Sequence, residues 1–205
     1  ASDLRDLPFA ATFMQLGQIF FRGYSLDGLA TGDPAFRFAH GPGAVAERYT
    51  YDGKGWVFAT DDASYDAISE VYFRTPFEEN SWRGRYHSFA RLGAKSSRVV
   101  AVPKDYRGPR IIAAEPALHT YVQKGVDSHL RRFLGRSVLS RAIQLNDQSV
   151  NAALALEGSR KGAYATIDLS DASDTVRLEH LRLLLVFRKD LLEWFELLRT
   201  PSVTV

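Results

Sequence analysis

One stretch of the sequence decides the fold class: Ala163–Asp174, which reads AYATIDLSDASD. Its first half, Ala163–Ile167, mixes small, aromatic and β-branched residues and predicts a β-strand with Asp168 at its C-terminal end. A turn rich in Ser and Asp follows, and a helical pattern then runs from about residue 174 to 199, where Pro201 ends it. A strand that leads into a long helix, among the further helices predicted below, indicates a mixed α+β fold.

Asp168 is the candidate catalytic residue of this stretch. A strand holds the side chain at its end rigidly while the adjoining loop exposes it, and Mg²⁺ prefers carboxylate oxygens as ligands. The alternative is that Asp168 only caps the following helix. Asp171 and Asp174 are predicted to lie in the first turn of that helix, where a negative charge suits the helix dipole. The residue types alone leave both interpretations of Asp168 open.

A second candidate site lies upstream, within residues 102–116, VPKDYRGPRIIAAEP. The pattern predicts a strand at 97–102 that stops at Pro103, a polar turn at 104–110 and a second strand at 111–114. Pro116 then opens a helix that Gly135 closes. The apolar stripe of this helix is predicted to comprise Leu118, Val122, Val126, Leu130 and Phe133.

The polar turn carries three cations, Lys104, Arg107 and Arg110. Cations on a stiff turn can neutralise a triphosphate during phosphoryl transfer. An exposed basic hairpin without a ligand explains the same residues equally well, so this site too remains a hypothesis at the level of residue types.

The remaining pattern predicts elements that carry no chemistry. The first is an amphipathic helix at 9–22, whose apolar stripe comprises Phe9, Phe13, Leu16, Ile19 and Phe20. Loops with short strands follow at 27–55, with a turn at His40–Ala44, and then a helix at 62–73. Further along are a helix capped by Asp147 and ended by Gly158, and a strand beginning at Val203–Val205.

Charge is distributed unevenly along the chain. The 205 residues carry a net charge of +2, but Arg74–Arg136 alone holds 13 Lys/Arg and 5 Asp/Glu. Such a basic middle fits a surface for phosphates, or else a solvated face of Arg-rich helices. The chain has no cysteine, and its five histidines lack metal-ligand spacing. Because no apolar run could span a bilayer and the first residues lack a signal-peptide pattern, we expect a soluble intracellular protein.

Five segments, in order along the chain, resemble the replicases of levivirus-type RNA bacteriophages. Residues 102–116 resemble the basic fingers motif F of these RNA-dependent RNA polymerases, and Ala165–Asp174 resembles their motif A. Residues 40–47, HGPGAVAE, are similar to the upstream fingers region of the family. The segments QLNDQSVN (144–151) and LEGS (156–159) are similar to its linking region.

The resemblance implies a right-hand polymerase that binds RNA template and product and nucleoside triphosphates, and that uses two Mg²⁺ ions. It implies that Asp168 is the catalytic metal ligand of motif A, with the backbone carbonyl of Leu169 as a further ligand. Lys104, Arg107 and Arg110 would meet the incoming triphosphate. Either Ser173 or Asp174 would sense the ribose 2′-hydroxyl, and the resemblance does not decide between them.

The resemblance also implies a division of the chain. Residues 1–160 would form mostly helical fingers, with motif F at 98–116, and residues 161–205 would begin the palm with its first strand and helix. Because motif B and the Gly-Asp-Asp of motif C are not found in these 205 residues, we expect a partial chain, without the rest of the palm and the thumb, that is inactive alone. Host elongation factors Tu and Ts are the partners implied, in the cytoplasm of a bacterial host. The alternative is a non-catalytic RNA-binding module that uses the basic stretch 83–136 with Trp82, Tyr86, Phe89 and Tyr106.

Overall fold

A computed structural model describes residues 8–29, 33, 35–48, 96–106, 108–145, 147–169 and 172–205. The predicted helix at 62–73 and the aromatic residues Trp82, Tyr86 and Phe89 lie outside these ranges, as do Arg107 and Asp171. The described residues form helices and a small sheet, which confirms the α+β class. The chain divides into two compact units, the first made of residues 1–24 and 130–192 and the second of residues 25–129 and 193–205.

The sheet belongs to the second unit and has the strand order β2-β1-β3. The strands are β1 (Ser97–Asp105), β2 (Gly108–Ala114) and β3 (Val203–Thr204). β1 and β2 form an antiparallel hairpin, whereas β3 runs parallel to the start of β1. All three strands were predicted, although β1 does not stop at Pro103 as expected. Its register with β2 is irregular between Val102 and Asp105, and a proline, which has no N–H to donate, is tolerated at such a position.

Helix α2 (Ala117–Arg136) follows the hairpin and supplies much of the second unit's core. Leu118, Val122 and Val126 of the predicted stripe are buried, while Leu130 and Phe133 are half-buried. The predicted end at Gly135 is wrong by one residue, because the helix includes Gly135 and reaches Arg136. The carbonyl oxygen of Leu198 lies 2.6 Å from Gln123 Nε2 and 3.3 Å from His119 Nδ1, which fixes the chain that leads into β3 against this helix.

An aromatic segment, residues 36–40, lies along α2. Phe36 stacks on His129 with 4.1 Å between ring centroids, and Phe38 and His40 lie 5.4 and 4.8 Å from the ring of Tyr121. Phe38 also covers Gly125, where an added Cβ would meet its ring at 2.3 Å. Every second residue of the segment therefore packs on one face of the helix. No strand is found among the described residues of 27–48, where the sequence predicted short ones, and 49–55 lies outside the described ranges.

In the first unit, helix α1 (Ala10–Phe20) packs against helix α4 (Leu178–Leu184). The helix was predicted, but most of its predicted apolar stripe is not its packed face. Phe9 and Ile19 are 76% and 58% exposed, whereas Ala10 and Gly17 are buried. A Cβ at Gly17 would lie 1.7 Å from the carbonyl oxygen of Leu184, so close backbone approach rather than large apolar side chains determines this contact.

The long helix predicted for residues 174–199 is instead two short ones, α4 and α5 (Lys189–Leu197). Leu183 and Leu185 are both buried, which a single helical face cannot achieve for residues two apart. The backbone therefore turns at 185–187 and leaves Val186 and Phe187 more exposed. Asp174 lies in a turn at 172–175, before α4, and not in a first helical turn.

Helix α3 (Ser149–Lys161) begins where it was predicted and ends later than Gly158. Hydrogen bonds from the side chain of Ser149 and from its N–H, the latter at 2.9 Å, lower the pKa of Asp147, although Gln148 is the residue directly before the helix. Gly162 ends the helix in the left-handed conformation, with φ of +65°. Within the described part of the chain, no helix is both long and apolar enough to cross a membrane.

Candidate functional site

The basic hairpin carries its cations on the strands, and its turn is shorter than predicted. Asp105 pairs with Gly108, so only Tyr106 and Arg107 connect β1 to β2. Between the pairs Val102–Arg110 and Asp105–Gly108, β1 has one residue more than β2, which is a bulge. Lys104 lies in that bulge and Arg110 lies on β2. Both side chains are exposed, and Tyr106 at the turn is 94% exposed.

Hydrogen bonds hold the base of the hairpin, and they come from residues that the sequence patterns did not single out. The guanidinium of Arg98 donates from Nη2 to the carbonyl of Val45 at 3.2 Å and from Nε to that of Ala46 at 3.3 Å. The next residue, Glu47, accepts the N–H of Ala117 at the start of α2, at 3.1 Å from each carboxylate oxygen. These contacts join residues 52 to 70 positions apart, so no local pattern could have revealed them.

The segment with Asp168 is exposed and has no regular structure. The strand predicted at 163–167 is wrong: residues 163–169 have no secondary structure, and Ile167 and Leu169 are 80% and 70% exposed. The local β propensity is real, but a strand also needs a hydrogen-bonding neighbour, and none of the described residues pairs with this segment. Asp168 is itself exposed.

One contact positions this segment against α3. A Cβ at Gly158 would lie 2.8 Å from the carbonyl oxygen of Tyr164 and 3.2 Å from its Cβ, so the glycine lets the chain return past the helix end. Further along, Ser173 Oγ donates to Asp174 Oδ1 at 3.3 Å, and both residues are exposed. Asp168, Leu169, Ser173 and Asp174 all belong to the first unit, whereas Lys104 and Arg110 belong to the second.

The described residues do not make a metal site on their own. Across the ranges that the structure covers, no group of three or more His, Cys, Asp or Glu side chains could hold a metal ion. A pair of Mg²⁺ ions needs more oxygen ligands than the single carboxylate of Asp168 and a backbone carbonyl can supply.

Comparison with known proteins identifies the family. A family profile described as "RNA replicase, beta-chain" matches residues 85–205, which is more than half of the chain. The chain belongs to this family. The match contains both candidate segments, the hairpin at 98–116 and the acidic stretch at 165–174, whereas residues 40–47 precede it.

Three polymerases illustrate the similarity to the RNA replicase beta-chain family. The RNA-directed RNA polymerase beta chain of Enterobacteria phage fr is 47% identical over 90 residues, 44% of this chain and 15% of the relative. That of Escherichia phage MS2 is 49% identical over 78 residues, 38% and 14% of the two chains. The beta subunit of Escherichia virus Qbeta is 39% identical over 109 residues, 52% and 17%. Each match thus covers less than a fifth of the relative's length.

Proposed function

We propose that this chain is part of an RNA-directed RNA polymerase that replicates a phage genome. One observation carries the proposal: the two segments chosen on their residue types both lie within the RNA replicase family match, and Lys104, Arg110 and Asp168 in them are exposed. The relatives that share 39–49% identity with the chain bear the name RNA-directed RNA polymerase. Template-directed RNA synthesis from nucleoside triphosphates is therefore the activity to test.

The hairpin is proposed to meet the incoming triphosphate through Lys104 and Arg110, with Arg107 at its turn. In the described part of the chain, neither Lys104 nor Arg110 forms an ion pair, and both extend into solvent. Cations held on a paired ribbon can neutralise the charge on transferring phosphates without the entropy loss of ordering a free loop. The two strands thus supply the rigidity that a polar turn alone would lack.

Asp168 is proposed as one oxygen ligand of a catalytic Mg²⁺ pair, with the carbonyl of Leu169 beside it, and the other ligands come from outside the described residues. Ser173 and Asp174, which bond to each other, are the candidates for contact with the ribose 2′-hydroxyl. The division into fingers at 1–160 and the beginning of a palm at 161–205, within a right-hand fold, is part of the same proposal.

Nucleotide incorporation by the complete polymerase that contains this sequence tests the assignment. Lys104→Ala with Arg110→Ala should raise the KM for nucleoside triphosphate roughly 10²- to 10⁴-fold, because each of the two charge-assisted hydrogen bonds contributes about 1.5–3 kcal/mol. Asp168→Asn should lower kcat about 10²-fold or more, because it removes charge stabilisation in the transition state. Lys124→Ala on α2 and Glu193→Gln on α5, both exposed, are the matched controls. Wild-type kinetics in the Asp168 and hairpin variants would refute the assignment.

A second candidate function is RNA binding without catalysis through the same basic stretch. The observation that favours it is Tyr106, whose ring is exposed at the hairpin turn between cations on both strands. An aromatic ring beside positive charge suits base stacking on single-stranded RNA, which contributes about 1–3 kcal/mol per base. Salt-dependent RNA binding that Tyr106→Ala weakens, with no nucleotide incorporation by the complete protein, would favour this candidate.

The resemblance to levivirus replicases adds host elongation factors Tu and Ts, and the bacterial cytoplasm, to the proposal. Purification of the complete polymerase from infected cells tests it, with both factors expected at stoichiometric amounts and their absence contradicting it.

A further inference from the structure

The direction of the basic hairpin is determined at its base. Residues 101–104 of β1 are exposed, and so is every residue of β2 except Ala114. Within the described residues, nothing packs along the outer part of the ribbon. Its orientation therefore depends on the first residues of β1 and the last of β2, where Ser97 and Ala114 are buried. A small tilt at that base would displace Lys104 and Arg110 by a larger distance at the tip.

Three consecutive residues, Val45, Ala46 and Glu47, connect both strands of that base. On the β1 side, the carbonyls of Val45 and Ala46 accept hydrogen bonds from Nη2 and Nε of Arg98. On the β2 side, the N–H of Ala46 donates to the carbonyl of Glu115 at 3.0 Å. Val45 and Ala46 are themselves buried, so these hydrogen bonds are shielded from water.

Glu47 completes the connection at the helix. Its carboxylate accepts the Ala117 N–H, one of the four backbone donors that a helix N-terminus leaves without a partner inside the helix. Ala117 is fully buried, so water could not replace the carboxylate without a rearrangement. A negative charge there also suits the positive end of the α2 dipole.

We infer that Glu47 and Arg98 are positioning residues of the polymerase, which hold the β1–β2 hairpin at a fixed angle to α2 so that its cations meet the triphosphate. The inference rests on the proposed function. The two residues touch no substrate in this scheme and act only through Lys104 and Arg110. Their removal should therefore weaken nucleotide binding and leave the chemical step nearly unchanged.

The test uses the complete polymerase with saturating RNA template. Glu47→Ala and Arg98→Lys should each raise the KM for nucleoside triphosphate about tenfold while kcat stays within about twofold, since a modest misplacement of binding groups costs this much. Lysine keeps the charge but cannot present the two-nitrogen fork of arginine. Glu47→Asp should restore most of the KM, and Glu193→Ala, an exposed change on α5, is the control.

A double-mutant cycle separates positioning from general destabilisation. In a Lys104→Ala, Arg107→Ala and Arg110→Ala background, Glu47→Ala should add less than twofold to the KM, because the hairpin then carries no cation at 104–110 to misplace. A tenfold increase that persists in that background, or a loss that falls on kcat, would overturn the inference.

Amide hydrogen exchange distinguishes failure of the inference from failure of the proposed function. Residues 98–114 should exchange faster in Glu47→Ala than in Glu193→Ala, whatever the protein's activity. Unchanged exchange there would overturn the positioning role. If exchange accelerates but the hairpin cations prove irrelevant to KM, the triphosphate role fails and the fixing of the hairpin by Glu47 stands.

Discussion

At the residue scale, Gly17 and Gly135 are both helical glycines that differ only in what surrounds them. Replacing Gly135 with alanine should stabilise the chain by about 0.5–1 kcal/mol, because alanine loses less entropy in a helix and no atom lies within 4 Å of the new Cβ. Replacing Gly17 should instead destabilise it by about 3 kcal/mol or more, since the Cβ would overlap the carbonyl of Leu184. Denaturant unfolding of both variants checks the opposite signs, and equal effects would refute the α1–α4 contact.

Glu47 gives a second prediction at this scale. Burial raises its pKa above the ordinary range, more than the N–H bonds of Glu47 and Ala117 lower it. Because the pKa of Glu47 is higher in the folded state than in the unfolded state, the folded state binds more protons. The stabilisation that Glu47 contributes is therefore present at low pH and is lost as pH rises through the raised pKa. Glu47→Gln removes that titration. The free energy of unfolding of the wild type should therefore fall relative to that of Glu47→Gln as pH rises above about 4.5. Glu193→Gln should show no such pH-dependent difference from the wild type.

At the element scale, Arg188 lies in the break between α4 and α5, which the sequence pattern had merged, and connects the start of α5 to the end of α1. Its Nη1 donates to the carbonyl of Phe21, just after α1, at 2.8 Å, and its other nitrogens bind the carboxylate of Asp190 in the first turn of α5. Arg188→Ala should lower the free energy of unfolding by about 1–2 kcal/mol.

The hydrogen bonds from Arg188 lower the pKa of Asp190. The stabilisation from this pair is present above the ordinary Asp pKa and is lost as pH falls through the lowered pKa of Asp190. The destabilisation caused by Arg188→Ala should therefore be smaller in acid. An equal cost at low pH, measured by denaturant unfolding beside Arg160→Ala, would contradict the bridge.

How far the sequence predicts this fold depends on where each element's partners lie. The bounds of α2 were predicted within one residue, and the hairpin and α3 within about three, because their turn residues and periodic stripes are local signals. The strand at 163–167 was not found, since its β propensity needs a neighbouring strand. The break after Leu184 was missed because the apolar run 183–187 resembles a buried helix until the burial of Leu185 is known. The candidate residues at 104–110 and 168 stood out by residue type and by their place at the ends of predicted strands, and the resemblance supplied their roles, whereas Glu47 and Arg98 required coordinates.

At the scale of the whole molecule, the amount of chain sets the limit on chemistry. The 205 residues contain no Gly-Asp-Asp, and the matches cover 14–17% of the relatives' lengths. We expect the 205-residue polypeptide alone to incorporate no nucleotide into RNA at any Mg²⁺ concentration, because its described residues include no group of three or more acidic or His side chains that could hold a metal ion. Incorporation of labelled nucleotide is the measurement, with the complete polymerase as positive control. Template-dependent incorporation by the polypeptide alone would show that its own residues suffice.

The aromatic segment over α2 has a consequence for how such a chain can change. The rings at 36, 38 and 40 meet α2 at positions 129, 125 and 121, which are four residues or about 6 Å apart along the helix, while Arg37 and Ala39 between them are exposed. Side chains there can be exchanged for others of similar shape. A single inserted or deleted residue would turn the rings outward and bring Arg37 and Ala39 onto the helix. Related sequences should therefore conserve the number of residues between Phe36 and His40 more strictly than the identity of those residues.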